Sequence, residues 1–375
     1  MAEVSATGVA IGRFSRRLEG EMTITRSSDE AGENPVETPF ENPAAKPPAP
    51  GEARHAGAPR RVSAGQVTSR PKTAGSRLPK DSSVLRSPTR RACDDIRWAI
   101  TQRLTERDRL ILHDVERFRV LTTPQLTRLH FGSLKRAAAR LLHLHELAVL
   151  DRFRPRREPW GAHPWHWVVG PLGAAILAGE AGEDPERASR RWRGERTIAY
   201  STGQRLAHLI GINEIYASLA SCPEGSLLDW QTEAEATKWS WNEVRPDGWG
   251  IWEQHDRQVE FFLEYDRGTE TLSRLVEKLP DYEKVAVDRG APTWVLFAFT
   301  SARREQTARR ALGDATIPVA TVALLDGIAP HDAVWLPLRG ADGRVPLAGL
   351  ADVPMPPEAL ERAATGGHRA WHYER

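Results

Sequence analysis

The sequence predicts an α+β chain in four segments. These are a disordered Pro/Arg-rich tail over residues 1–92, a helical module ending in a hairpin over 93–182, an α/β domain around a central mixed sheet over 195–338, and a loosely ordered C-terminal tail over 339–375. Three observations lead there. Residues 1–92 are rich in Pro, Ala, Ser, Arg and Glu and lack long apolar runs, so they cannot bury enough surface to offset the entropy of ordering. Apolar residues at helical spacing then dominate 97–146 and give way to short strand-like runs. Finally, Pro292 to Thr300 is a near-continuous apolar run, the signature of a strand buried on both faces.

A length of 375 residues accommodates about two to three domains. The net charge of +2 sets up no global field toward a polyanion, so any nucleic-acid signal is local. The two cysteines, Cys93 and Cys222, are far apart and suggest neither a disulfide framework nor a zinc cluster. No apolar run approaches the roughly 20 residues of a membrane helix, and the N-terminus lacks a basic-then-apolar leader. The expectation is a cytoplasmic protein with no membrane partner. P-loop, nucleophile-elbow and dinucleotide signatures are missing, which leaves ATPase, hydrolase and dehydrogenase readings without footing.

In the first module, Arg97 to Phe118 reads as a helix with Leu104, Leu110, Ile111, Val115 and Phe118 as apolar positions. In Leu121-Thr122-Thr123-Pro124 a threonine cap precedes a proline at the first helical position. Ser133 is placed to cap a third helix, Leu134 to Glu146. Ala148 to Phe153 and Pro164 to Val169 read as two strands around a loop, and Gly170 to Gly182 as a closing helix. Three helices followed by a hairpin is the winged helix-turn-helix pattern. Its third helix carries Lys135, Arg136 and Arg140, and its wing carries Arg152, Arg154, Arg156 and Arg157. Both basic clusters fall on the elements that meet duplex DNA in this motif, so these seven residues are the candidate DNA contacts. His113, His130, His143 and His145 lack metal-ligand partners at useful spacing.

In the second domain, Gln204 to Ala220 reads as an amphipathic helix and Leu227 to Thr232 as a strand, with Glu233 and Glu235 alternating at its end. The most informative stretch is Arg245 to Tyr282. Pro246-Asp247-Gly248 opens a strand, Gln254 to Arg257 is a polar turn, and Gln258 to Asp266 is the returning strand. Glu264 and Asp266 share a face by strand alternation, and the hairpin brings Asp247 toward them. Converging carboxylates suit a hard divalent cation, so Asp247, Glu264, Asp266 and, from the preceding helix, Glu214 are candidate ligands for Mg²⁺. A helix carrying Leu272, Leu275, Val276, Lys278 and Leu279 follows. Beyond the strand Pro292 to Thr300, Ser301 to Leu312 is a basic helix, and Pro318 to Leu324 and Ala333 to Leu338 are further strands.

The PD…ExD strand pair resembles the PD-(D/E)xK nuclease-like core. Asp266 stands where that core has a lysine, and Lys278 is the replacement candidate. This resemblance implies Asp247, Glu264 and Lys278 as the catalytic set. The chain over about residues 105–300 also resembles the replication-relaxation family, found on actinobacterial plasmids and integrating elements. That resemblance rests on LTTPQL with AAARLLHLHELAVLDR, on HLIGINE (His208 to Glu214), on RPDG (Arg245 to Gly248) and on LEYDRGTETLSRLVEKLPDY. It implies a role in plasmid replication, DNA relaxation or mobilisation. The leading expectation is a protein that binds duplex DNA through a winged helix, with replication or conjugation proteins as further partners. The alternatives are a Mg²⁺-dependent nuclease or nickase using Asp247 and Glu264, and a transcriptional regulator acting through the winged helix alone.

Overall fold

The computed structural model describes residues 103–155, 163–192, 204–325 and 327–366. The tail over 1–92 and the wing residues Arg156 and Arg157 lie outside them. Helix α1 (Glu106–Phe118) begins at a capping box, Thr105 and Asp108 satisfying each other's backbone N–H groups. Strand β1 (Leu121–Thr122) leads straight into α2 (Thr123–His130), and the Thr122 side chain accepts from the N–H of Gln125 while Gln125 returns the bond. Helix α3 (Leu134–Glu146) starts at Ser133 as expected, but that side chain makes no capping bond. Strands β2 (Leu150–Phe153) and β3 (His166–Val169) complete a three-stranded antiparallel sheet in the order β1-β3-β2. Helix α4 (Pro171–Glu180) presses on it so closely that a Cβ at Gly173 would stand 2.2 Å from the Val149 carbonyl oxygen. A short α5 (Pro185–Arg191) follows.

Helix α6 (Gln204–Ala220) opens the second half and buries Leu206, Ile212, Ile215 and Leu219. A six-stranded sheet is built from β4 (Ser226–Thr232), β5 (Gly248–Gln254), β6 (Arg257–Asp266), β7 (Trp294–Phe299), β8 (Val319–Ala323) and β9 (Leu336–Pro337), in sequence order across the sheet. It is mixed: β6–β7 and β7–β8 pair parallel, and the other neighbours antiparallel. The β5–β6 hairpin turns on His255 and Asp256, both at positive φ (52° and 57°), the backbone a two-residue turn needs to match strand twist. All six residues of β7 are buried, as the apolar run requires.

Three expectations are corrected. Glu233 and Glu235 do not extend β4; they open α7 (Glu233–Trp239), because Glu235 is the third residue of a capping box with Thr232. The helix after β6 is two helices, α8 (Leu272–Glu277) and α9 (Leu279–Arg289), broken at Lys278 where Pro280 enters the first turn of α9. The C-terminal segment 339–366 is packed: Leu347 and Leu350 are fully buried, a 3-10 turn covers Ala348–Asp352, and α11 (Pro357–Thr365) lies on α9. Between β7 and β8, α10 (Ala302–Ala311) is the basic helix. Two of its four arginines are turned inward, Arg304 to Asp266 and Arg309 to the Leu336 and Pro337 carbonyls.

One apolar core runs from Ile111, Leu112 and Val115 of α1 through Ile212 and Ile215 of α6 to Trp230, Phe261 and Leu296 of the large sheet. The expected boundary between 182 and 195 therefore separates two segments of sequence but not two cores.

Candidate functional site

Asp247 sits at the mouth of β5, its backbone N–H bonded to the Leu263 carbonyl. Its Oδ2 accepts from the backbone N–H of Tyr265 (2.7 Å) and its Oδ1 faces His208 Nε2 of α6 at 2.8 Å. Burial disfavours a charged imidazole at His208, but the bond and charge of Asp247 outweigh it and hold the ring's pKa above its ordinary value. The Tyr265 ring lies beside His208, centroids 5.7 Å apart, and over Gly211, where a Cβ would stand 2.2 Å from the ring.

On the next strand Glu264 is 3% exposed. Its Oε2 accepts from Lys278 Nζ at 2.7 Å, and its Oε1 accepts from the Tyr282 hydroxyl of α9. Lys278 also reaches Glu270 at 3.2 Å. Burial and the neighbouring Asp247 charge push the Glu264 carboxyl up to about 7 against the pull of Lys278 and Tyr282. Burial alone would lower the Lys278 ammonium, but Glu264 and Glu270 keep it above its usual value.

The other candidate ligands lie in separate contacts. Asp266 accepts from Arg304 Nε (2.7 Å) and from the backbone N–H of Gly268. Glu214 pairs with Arg128 of α2 at 2.5 Å and accepts from Gln125. Among the described residues no three His, Cys, Asp or Glu side chains are grouped so as to hold a metal ion. All four oxygens of Asp247 and Glu264 already face protein donors. Mg²⁺ wants near-octahedral oxygen and retains several waters, and this arrangement does not fit it without displacing His208 or Lys278. What the arrangement does is fasten elements together: Asp247 joins α6 to the hairpin, and Glu264 joins the α8–α9 junction to the sheet.

Sequence reasoning picked out Asp247, Glu264 and Lys278 but not the partners His208 and Tyr282. A signal was present for the first. HLIGINE carries polar or small residues at several points where α6 meets another element: His208 on Asp247, Gly211 under Tyr265, Asn213 on the Phe118 and Val120 carbonyls, Glu214 on Gln125 and Arg128.

The basic residues divide into two sorts. Arg140 forms a two-point bond to Asp108, whose carboxylate is fully buried, so Arg140 ties α3 to the start of α1. Burial works against ionising Asp108, and the bonds from Arg140 and Thr105 still hold its carboxyl below the usual range. Lys135 and Arg136, in the first turn of α3, are exposed beside Leu134, itself 59% exposed. On the hairpin, Arg152 lies over the Trp165 ring at 4.1 Å, Arg154 at 5.4 Å, and Arg154 Nε also donates to the His163 carbonyl. Both guanidiniums are thereby held in place on an aromatic support.

No helix among the described residues is long and apolar enough to cross a membrane. No curated protein and no solved structure matches the chain. Residues 112–293 match the family described as replication-relaxation, a span that takes in α2, α3, the small hairpin, α6, Asp247, Glu264 and Lys278. Over residues 112–293 the chain is similar to the replication-relaxation family.

Proposed function

We propose that this is a DNA-binding protein of plasmid or mobile-element replication, relaxation or mobilisation, which grips duplex DNA with residues 93–182 used as a winged helix. Helix α3 is the recognition helix and the β2–β3 hairpin the wing. The observation that carries the reading is the first turn of α3. It exposes Leu134, Lys135 and Arg136 together, at the end of a recognition helix that meets base edges. Arg152 and Arg154, held on Trp165, supply phosphate contacts from the wing. Arg140 is a framework residue and not a DNA contact, since its guanidinium is taken by Asp108. The α/β half serves as the platform that orients this surface and receives replication or conjugation proteins. No hydrolytic step is assigned to Asp247, Glu264 or Lys278.

The test is fluorescence anisotropy on labelled duplex from the native element. Arg136→Ala should weaken binding with melting temperature unchanged, and Lys135→Glu with Arg136→Glu should weaken it further. Unaltered binding in the double variant would contradict the reading. Mg²⁺-dependent nicking of supercoiled plasmid, abolished by Asp247→Ala and by Glu264→Ala, would replace it with the nuclease reading.

A further inference from the structure

Two tryptophans flank Ser240 in the loop between α7 and β5, and they have opposite fates. Trp239 packs inward, its ring 5.2 Å from Trp249 and 6.3 Å from Phe262, with the Arg289 guanidinium over it at 5.1 Å. Trp241 is 69% exposed, the most exposed of the large hydrophobic residues described.

This exposure is built in. Trp241 and Asn242 both hold left-handed backbone, φ 57° and 64°, a conformation that bulky L-residues rarely adopt. The loop around them is fastened throughout. Ser240 is fully buried, and its hydroxyl lies within hydrogen-bond reach of the Thr237 and Val244 carbonyls. The N–H groups of Trp241, Asn242 and Glu243 donate to the carbonyls of Lys238, Thr237 and Ser240. Val244 is buried, and Lys284 holds the Glu243 carboxylate at 3.0 Å. A fixed scaffold therefore presents one large flat ring to solvent, with exposed Lys238 and Arg245 on either side of it in the chain. An exposed ring with cations three residues before it and four after it in the chain, and with the intervening Glu243 carboxylate paired to Lys284, is complementary to a base and its phosphates.

We propose that Trp241 is a stacking platform for an unpaired base of single-stranded DNA, with Lys238 and Arg245 engaging the adjoining phosphates. A base inside a duplex has both faces covered by its neighbours, so the occupant is a melted or displaced strand. The proposal rests on the nucleic-acid reading above and deepens it: one protein would hold duplex through α3 and an opened strand through this loop.

The experiment measures anisotropy of a labelled oligothymidylate and of a labelled duplex with the full-length wild type, Trp241→Ala and Trp241→Phe. Base stacking on an aromatic ring is sequence-tolerant, and its loss should weaken single-strand binding by at least about fivefold in Trp241→Ala. Trp241→Phe should recover most of it, and duplex affinity should stay within about twofold. The side chain is exposed, so circular dichroism and melting temperature should match wild type in both variants. Three results would overturn the proposal: no single-strand binding by wild type, single-strand binding by Trp241→Ala within about twofold of wild type, or an equal loss on both substrates. Single-strand binding through Trp241 with no duplex binding would sink the duplex reading and leave this one standing.

Discussion

Asp108 and Glu264 are both almost completely buried carboxylates, and their surroundings push them in opposite directions. Asp108 collects bonds from Arg140 and from the Thr105 hydroxyl and N–H, so its charged form is favoured despite burial. Glu264 has Asp247 as a like-charged neighbour, and its carboxyl rises to about 7. A carboxyl with a folded-state pKa above its unfolded value of about 4.3 keeps a proton that the unfolded chain releases. Stability therefore falls as pH rises from that unfolded value to about 7. His208 adds to the same slope, because its raised pKa contributes stability that is complete below the unfolded value of about 6.5 and lost as pH rises through the folded one. Urea titrations between pH 5 and 8 should show stability declining with pH, and Glu264→Gln should flatten the decline. An unchanged slope in that variant would remove Glu264 from the account. Arg140→Ala should cost about 2–3 kcal/mol. That is less than the roughly 3–5 kcal/mol of breaking a fully buried pair, because Arg140 remains partly in solvent. Arg136→Ala should change stability by less than about 0.5 kcal/mol in the same measurement.

At the scale of elements, local signals were legible where one residue type decides the outcome. Thr122 and Pro124 mark the start of α2, and the unbroken apolar run marks β7. The alternation of Glu233 and Glu235 looked like a strand end because both are charged on a period of two. The competing signal, Thr232 with Glu235 three residues on, was equally present and is the one the backbone obeys. Pro280 announced the break at Lys278 in the same way. Carboxylate convergence could not be read this way. Alternation puts Glu264 and Asp266 on one face, but they take different partners, Lys278 after the next helix and Arg304 beyond β7. The close packing of α4 against the turn before β2 is testable. Gly173→Ala drives a methyl group into the Val149 carbonyl, and should destabilise by about 1–3 kcal/mol although alanine is the better helix former. A stabilised variant in thermal denaturation would show that α4 can shift away.

For the whole molecule, the continuous core and the bonds from α6 to the first module decide how the halves behave. Asn213 Nδ2 donates to the carbonyls of Phe118 and Val120 from a side chain 2% exposed, and Arg117 of α1 pairs with Glu235 of α7 at 3.0 Å. The two halves should unfold in one calorimetric transition, shifted as a unit by Asn213→Ala at about 1–3 kcal/mol per carbonyl left unpaired. Two separable transitions would show that the halves are independent. The sequence divides the chain between 182 and 195 because a single sequence reports local order. A shared core depends on which faces meet, and α6 carries apolar residues toward both sides. Under the proposed function, the α3 surface that meets DNA shares one apolar core with the large sheet.

The central claim is that Lys135 and Arg136 meet DNA while Arg140 does not, and the salt dependence of duplex affinity tests it most directly. Each phosphate neutralised contributes about 0.9 to the slope of log affinity against log salt. Lys135→Ala and Arg136→Ala should each weaken binding, and a residue seated on a phosphate should also lower the slope by about one. Arg140→Ala, measured where it remains folded, should keep the wild-type slope. Affinity unchanged in Lys135→Ala and Arg136→Ala, or a slope that falls in Arg140→Ala, would contradict the account.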